Sequence, residues 1–161
     1  MVKFFCGNFE TKIDAKGRMM IPSYFREVAG KTEGLVLYAV PQSGDYIALM
    51  LEEEWQRLAD MFTTNDPVPD VEEAENIVWF FSRMWRLVCD AQGRVVIPEN
   101  LLKAVGMQRD CDVVIAGMQR WIGIWSRKRW EERIESKDKK EEEKSKSYEK
   151  VRERVKKKSD S

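Results

Sequence analysis

Two short stretches of this sequence combine residue types suited to recognising an anion: Asp14-Ala-Lys-Gly-Arg18 and Asp90-Ala-Gln-Gly-Arg94. The planar fork of arginine fits phosphate or the O6 and N7 atoms of guanine, and lysine adds a compact point charge. Gly17 and Gly93 permit the tight turn from which such side chains would project. Lys12, Lys16 and Arg18 cluster around the first stretch, with Arg26 following it. In the second, Gln92 replaces Lys16 and leaves Arg94, with Arg83 and Arg86 upstream. The pattern also has a plainer reading. An Asp and an Arg four residues apart around a turn make a structural ion pair, with the Asp accepting turn N–H groups. Asp14 and Asp90 cannot attract phosphate and are read as organisers of the turn. For Arg18 and Arg94 both readings stay open.

Other chemistry finds little support. The 161-residue chain has no histidine, which removes Ser-His-Asp triads, Cys-His dyads and the commonest zinc sites. No enzyme, cofactor or metal is expected. A hydrolase would have to rely on carboxylates such as Glu52, Glu53 and Glu54, which read as helix surface. Cys6, Cys89 and Cys111 form no CxxC and read as buried small hydrophobes in a reducing compartment. Trp79-Phe80-Phe81 and the tryptophans at 55, 85, 121, 125 and 130 have the side chains to stack on bases, but their spacing on strands and helices favours core or subunit packing. The sequence has no apolar run of membrane-spanning length and no apolar signal segment in MVKFFCGNFE, so a cytoplasmic protein is expected.

The elements that must position the two stretches are themselves repeated. Six of nine positions agree between Asp14–Pro22 and Asp90–Pro98 at an offset of 76, which also carries Phe25 onto Leu101 and Gly30 onto Gly106. In each copy a strand leads into the turn and a return strand follows it: Met19-Met20-Ile21 and Val95-Val96-Ile97. Pro22 and Pro98 fit the start of a short helix, Gly30 and Gly106 its end. A hairpin comes next, Leu35–Tyr38 with Tyr46–Leu49 and Val113–Ile115 with Trp121–Trp125, and then a Trp-bearing helix. Two copies this small are expected to build one pseudo-symmetric domain together.

The division expected is a first repeat over 1–62, a linker and joining helix over 63–84, a second repeat over 85–135 and a charged tail over 136–161. Thr63–Pro69 reads as loop. Asp70 and Glu73 have capping-box spacing before an apolar stripe, which predicts a joining helix packed on both copies. The tail has Val151 and Val155 as its only aliphatic residues and reads as solvated helix or disorder. Charge follows these divisions. Overall, 28 Lys plus Arg balance 28 Asp plus Glu, yet residues 1–30 carry +2, 31–126 carry −7 and 127–161 carry +5. A neutral total therefore does not exclude a polyanion partner.

The run from Gly7-Asn-Phe-Glu-Thr-Lys-Ile-Asp14 through Arg18 and Pro22 to Arg26-Glu27 closely resembles the opening of MraZ proteins. The likeness continues through Phe80-Phe81-Ser82, Asp90–Arg94 and Ile124-Trp125-Ser126 to Trp130, covering about residues 1–135. MraZ proteins are bacterial transcriptional regulators with two AbrB-like modules. The resemblance implies an α+β fold, a tandem pseudo-symmetric AbrB-like (swapped-hairpin) β-barrel with short flanking helices. It implies double-stranded DNA as partner, at direct repeats upstream of the cell division and cell wall gene cluster. A ring-shaped homo-oligomer in the cytoplasm, associated with the nucleoid, is also implied. Carried onto this chain, the DNA contacts are Lys16, Arg18 and Arg94. Asp14 and Asp90 organise the loops with Gly17 and Gly93, and Lys12 and Arg26 are added from charge and position. The alternative is a non-catalytic oligomeric scaffold whose Asp-x-x-x-Arg turns only brace the fold.

Overall fold

A computed structural model describes residues 3–42, 44–62 and 68–160; residues 63–67 of the expected linker loop lie outside the described residues. The first copy contributes β1 (Asn8–Ile13), β2 (Arg18–Met20), α1 (Ser23–Ala29), β3 (Val36–Gln42), β4 (Tyr46–Leu51) and α2 (Glu52–Asp60). After α3 (Val71–Phe81), the second copy contributes β5 (Trp85–Val88), β6 (Arg94–Val96), α4 (Glu99–Ala104), β7 (Cys111–Met118), β8 (Trp121–Ser126) and α5 (Arg127–Trp130). A π-helical stretch (Glu131–Glu135) then runs into α6 (Ser136–Ser159). Two compact units result, Met1–Ser126 and Arg127–Ser161.

Within the first unit the architecture is α+β. Six antiparallel strands run in the order β1-β7-β8-β4-β3-β5, and β2 and β6 form a separate two-stranded ladder. The two hairpins meet at the centre of the larger sheet, where β4 pairs with β8. Alternation along the strands separates two faces. Leu37 and Ala39 of β3 and Ile47, Leu49 and Leu51 of β4 join the main core. Val40, Ala48 and Met50 form a second cluster on the other face, with Trp55 and Leu58 of α2 packed on it.

The main core draws equally on the two copies. Met19, Ile21 and Phe25 and their counterparts Val95, Ile97 and Leu101 are each no more than 1% exposed and belong to one cluster. Neither copy encloses a core without the other, as their size required.

The local signals hold where chemistry is local. Pro22 and Pro98 sit immediately before α1 and α4 with extended ψ angles of 140°. Gly30 caps α1 in the left-handed region at φ 80°. Asp70 caps α3 by accepting the Glu73 N–H at 2.8 Å.

Ring contacts place Phe80 and Phe81 of α3 against Phe62, just beyond α2, and Phe81 also against Trp55, which gives the joining helix its expected packing on the first copy. All six tryptophans keep part of their surface exposed; Trp55 and Trp121 pack against the second buried cluster, as the core reading expects, and Trp85 opposes Ala39 at the sheet edge. Cys89 is buried as expected, whereas Cys6 is exposed in the segment before β1. Of the two readings of the tail, the helix is the one the structure adopts, throughout residues 136–159.

Candidate nucleic-acid interface

The two Asp-x-x-x-Arg turns are wired identically. Asp14 Oδ1 accepts the backbone N–H groups of Lys16 (2.9 Å) and Arg18 (2.8 Å), while Oδ2 accepts Arg18 Nε–H at 2.7 Å. In the second copy Asp90 Oδ1 accepts the N–H groups of Gln92 and Arg94, both at 2.9 Å, and Oδ2 accepts Arg94 Nε–H at 3.0 Å. The Arg18 backbone N–H, followed by the arginine side chain and the Lys16 N–H, holds the Asp14 carboxyl below its ordinary range; Arg94 and Gln92 do the same for Asp90. Both carboxylates are ionised at neutral pH and serve as fixed acceptors. The aspartates thus organise the turns, and they also orient each guanidinium through Nε. Among the described residues, neither arginine uses an Nη amine in a hydrogen bond.

Gly17 and Gly93 complete the turns at φ 80° and 81°, donating their N–H groups to the Asp14 and Asp90 carbonyls at 3.0 Å each. Their own carbonyls reach across to the other copy: Gly93 O accepts from Ile21 N–H at 2.9 Å, and Gly17 O accepts from Ile97 N–H at 2.8 Å. Those bonds extend the β2–β6 ladder. Each turn is tight, but its return strand pairs with the return strand of the other copy and not with the strand that led into it. The repeat supplies the antiparallel partner of matching length and pattern that this cross-pairing uses.

This ladder brings the arginines together. In its register Arg18 faces Val96 and Met20 faces Arg94, and directly opposed residues share one face of a sheet. Met19 and Val95 point into the core, which turns the other face to solvent; there Met20 is 39% and Val96 55% exposed. One outward strip therefore carries two arginines with two apolar side chains between them.

The remaining basic candidates divide by their partners. Lys16 is exposed and forms no ion pair among the described residues. Lys12 Nζ lies 2.7 Å from Asp110 Oδ1, a hydrogen bond that raises the lysine's pKa. Arg26 turns inward, donating to Ile21 O at 2.9 Å and to Thr32 Oγ1 at 3.1 Å, with its guanidinium packed over Gly93. At the corresponding place over Gly17 lies Arg109, whose Nε would be 3.4 Å from a Cβ added there. Arg109 is exposed, without an ion pair among the described residues. Motif reading misses it because it belongs to the segment before β7. The repeat offset could have singled it out, since its counterpart in the first copy is Glu33. Lys16 and Arg109 thus stand at the first turn, where the second has Gln92 and, over Gly93, Arg26.

The carboxylate alternative does not converge. Glu54 is engaged by Arg57 (3.6 Å) and Arg120 (3.7 Å), and Glu52 and Glu53 fan out around α2. Among the described residues no group of three His, Cys, Asp or Glu side chains is placed to hold a metal ion, and no helix is long and apolar enough to cross a membrane.

With that geometry established, the comparisons with known proteins are specific. The family described as "MraZ protein, putative antitoxin-like" matches residues 4–73 and 80–154, one stretch for each copy. The chain belongs to the MraZ family. Three MraZ relatives carry the name transcriptional regulator MraZ. That of Clostridium tetani is 34% identical over 134 residues, covering 80% of this chain and 85% of its own. That of Acetivibrio thermocellus is 33% identical over 131 residues, covering 79% and 84%. That of Thermus thermophilus is 31% identical over 129 residues, covering 80% and 86%. The MraZ match takes in both Asp-x-x-x-Arg turns and runs on into α6.

Proposed function

We propose that this chain is a DNA-binding transcriptional regulator of the MraZ type, without catalytic activity, that reads duplex DNA with its two Asp-x-x-x-Arg turns. The observation that carries the reading is the exposed β2–β6 strip, where two oriented arginines share a face. In this reading Arg18 and Arg94 fork onto bases or phosphates, Lys16 supplies a backbone contact, and Met20 and Val96 offer apolar contact to a thymine methyl. Asp14, Gly17, Asp90 and Gly93 hold the turns. Lys12 and Arg26 act less directly, through Asp110 and through the Ile21 and Thr32 acceptors, and Arg109 joins the first turn's contact surface. The cross-paired return strands support the swapped-hairpin form of AbrB-like barrels.

One such surface per chain offers few contacts. Sequence-specific binding gains strength when several copies in a ring engage regularly spaced direct repeats, because linked surfaces raise effective concentration without new chemistry. The target proposed is the DNA upstream of the cell division and cell wall gene cluster. Binding to that DNA is expected to weaken steeply with salt and to fall when the spacing of the repeats is altered. Affinity that ignores both salt and spacing would remove the reading.

The scaffold alternative draws on one specific observation, the Asp–Arg hydrogen bond inside each turn. Under that reading Arg18→Ala lowers stability and leaves DNA retention as it was, whereas under ours DNA retention falls in a folded, assembled protein.

A further inference from the structure

The second unit carries an unusual distribution of charge. Every described residue of α6 from Lys137 onward is exposed. Between Lys144 and Lys158 there are eight basic and two acidic residues, Glu149 and Glu153. Lys144 is taken by Glu141 at 3.6 Å, and Glu149 and Glu153 are two carboxylates against the six basic residues from Lys146 to Lys157. Lys146, Lys150, Arg154 and Lys157 form no ion pair among the described residues.

Their spacing of i, i+4, i+8 and i+11 places them in one row along the helix. The row spans about 16 Å at 1.5 Å per residue. Glu143 precedes Lys146 in the same row, Glu142, Glu149 and Glu153 fall in an adjacent row, and Tyr148, Val151 and Val155 in a third on the far side. Like charges at i, i+4 destabilise a helix, and Lys146, Lys150 and Arg154 form two such pairs in succession. Favourable interaction with the helix dipole accounts for Lys156, Lys157 and Lys158 at the C-terminal end, but that effect is confined to the last turn. It leaves Lys146, Lys150 and Arg154 unexplained. A polyanion with regularly spaced charges would relieve the repulsion, and the backbone of duplex DNA has one phosphate per 3.4 Å of rise on each strand.

We propose that the row Lys146, Lys150, Arg154 and Lys157 of α6 is a second nucleic-acid contact, which grips the phosphate backbone of duplex DNA without reading its sequence. This rests on the reading of the chain as a DNA binder. It adds a sequence-independent contribution that would hold the protein on DNA flanking its target.

The test uses the full chain and a random-sequence duplex without repeats, comparing the wild type with the fourfold variant Lys146→Gln, Lys150→Gln, Arg154→Gln and Lys157→Gln. Glutamine preserves helix propensity, and far-ultraviolet circular dichroism checks that α6 persists. The expected result is a plot of log affinity against log salt that becomes shallower by about 3 to 4 per bound chain, roughly 0.9 for each phosphate released. A charge-preserving variant with Lys146→Arg, Lys150→Arg, Arg154→Lys and Lys157→Arg keeps the wild-type slope. An unchanged slope in the glutamine variant overturns the proposal, as does a lost slope in the charge-preserving one. Loss of binding to phosphatidylserine vesicles with no change on the duplex would also overturn it, assigning the row to a membrane surface. Arg18→Ala, measured in parallel on the upstream DNA, keeps the two readings separate: an Arg18→Ala protein with full affinity for that DNA sinks the turn reading and leaves the slope result standing.

Discussion

Arg18 and Arg94 occupy opposite corners of one two-stranded ladder, Arg18 facing Val96 and Arg94 facing Met20, so that two motifs far apart in sequence present a single strip. At about 3.4 Å of rise per residue, the two arginine positions are offset by roughly 7 Å along the strands. Duplication therefore does more than supply two copies of a turn. It supplies the partner strand that each turn needs to be held, because each return strand is braced by the other.

Removing the orienting carboxylate is expected to affect binding without deleting a basic group. Asp14→Asn keeps an acceptor for the turn N–H groups but loses the charge that fixes Arg18 Nε. Its affinity for the upstream DNA should fall while the salt slope stays close to wild type, since no phosphate contact is removed. Titration at several salt concentrations reads both quantities.

Acid should weaken the fold through the same two groups. Asp14 and Asp90 titrate below the ordinary carboxylate value of about 3.9 in the folded chain, so the unfolded chain takes up protons first as pH falls. Their contribution is present in full above about pH 4 and is lost as pH drops through the lower folded values. Thermal unfolding followed from pH 7 to pH 2 should show a decline below about pH 4 that is smaller in the Asp14→Asn, Asp90→Asn double variant.

The turn glycines should resist substitution unequally. Both have positive φ, so alanine costs about 1 kcal/mol or more at either position. At Gly17 the new Cβ would sit 3.0 Å from the Ile97 carbonyl oxygen, a backbone atom held in the ladder. At Gly93 it would meet the Arg26 guanidinium at 2.6 Å, a side chain able to withdraw at the loss of its bonds to Ile21 and Thr32. Denaturant unfolding should find both variants destabilised. Only Gly93→Ala should be partly relieved by Arg26→Ala in a double-mutant cycle.

Arg109 makes no ion pair among the described residues, so replacing it should leave stability within about 0.5 kcal/mol. Arg109→Ala is expected to lower DNA affinity and reduce the salt slope by about 0.9 per engaged chain. Glu33→Arg, at the position that matches Arg109 in the repeat, should raise both.

Cysteine reactivity offers a check on the packing alone. Burial pushes the Cys89 thiol up to about 11, leaving it almost wholly protonated, while Cys6 is exposed. Alkylation of the folded protein at pH 8 followed by peptide mapping should modify Cys6 first and Cys89 only on unfolding.

What the sequence reveals is what short-range chemistry decides. The Asp70 cap, the Pro22 and Pro98 helix starts and the two Asp-centred turns each involve residues within about five positions of one another. The core positions Ile21, Phe25, Ile97 and Leu101 follow from the same repeat. The cross-pairing of β2 with β6 does not follow, because a three-residue strand after a turn is equally compatible with pairing to its own neighbour. The seat of Arg26 over Gly93, and of Arg109 over Gly17, depends on that long-range pairing, which is why Arg26 reads as an outward contact in sequence and Arg109 is not noticed at all. The tryptophan spacing identifies apolar faces, and Trp55 and Trp121 do pack on one, but a helical or strand period does not say whether the layer covering a face is thick enough to bury a ring.

The central claim is that the β2–β6 strip is the DNA-reading surface. The most direct test is the equilibrium affinity of the Arg18→Ala, Arg94→Ala double variant for the DNA upstream of the cell division and cell wall gene cluster, at fixed salt and with its oligomeric state verified. Each arginine contact with a base is worth about 1–3 kcal/mol, so the account predicts a loss of at least tenfold together with lost preference for that DNA over a random duplex. A folded, normally assembled double variant that retains wild-type affinity and preference would contradict it.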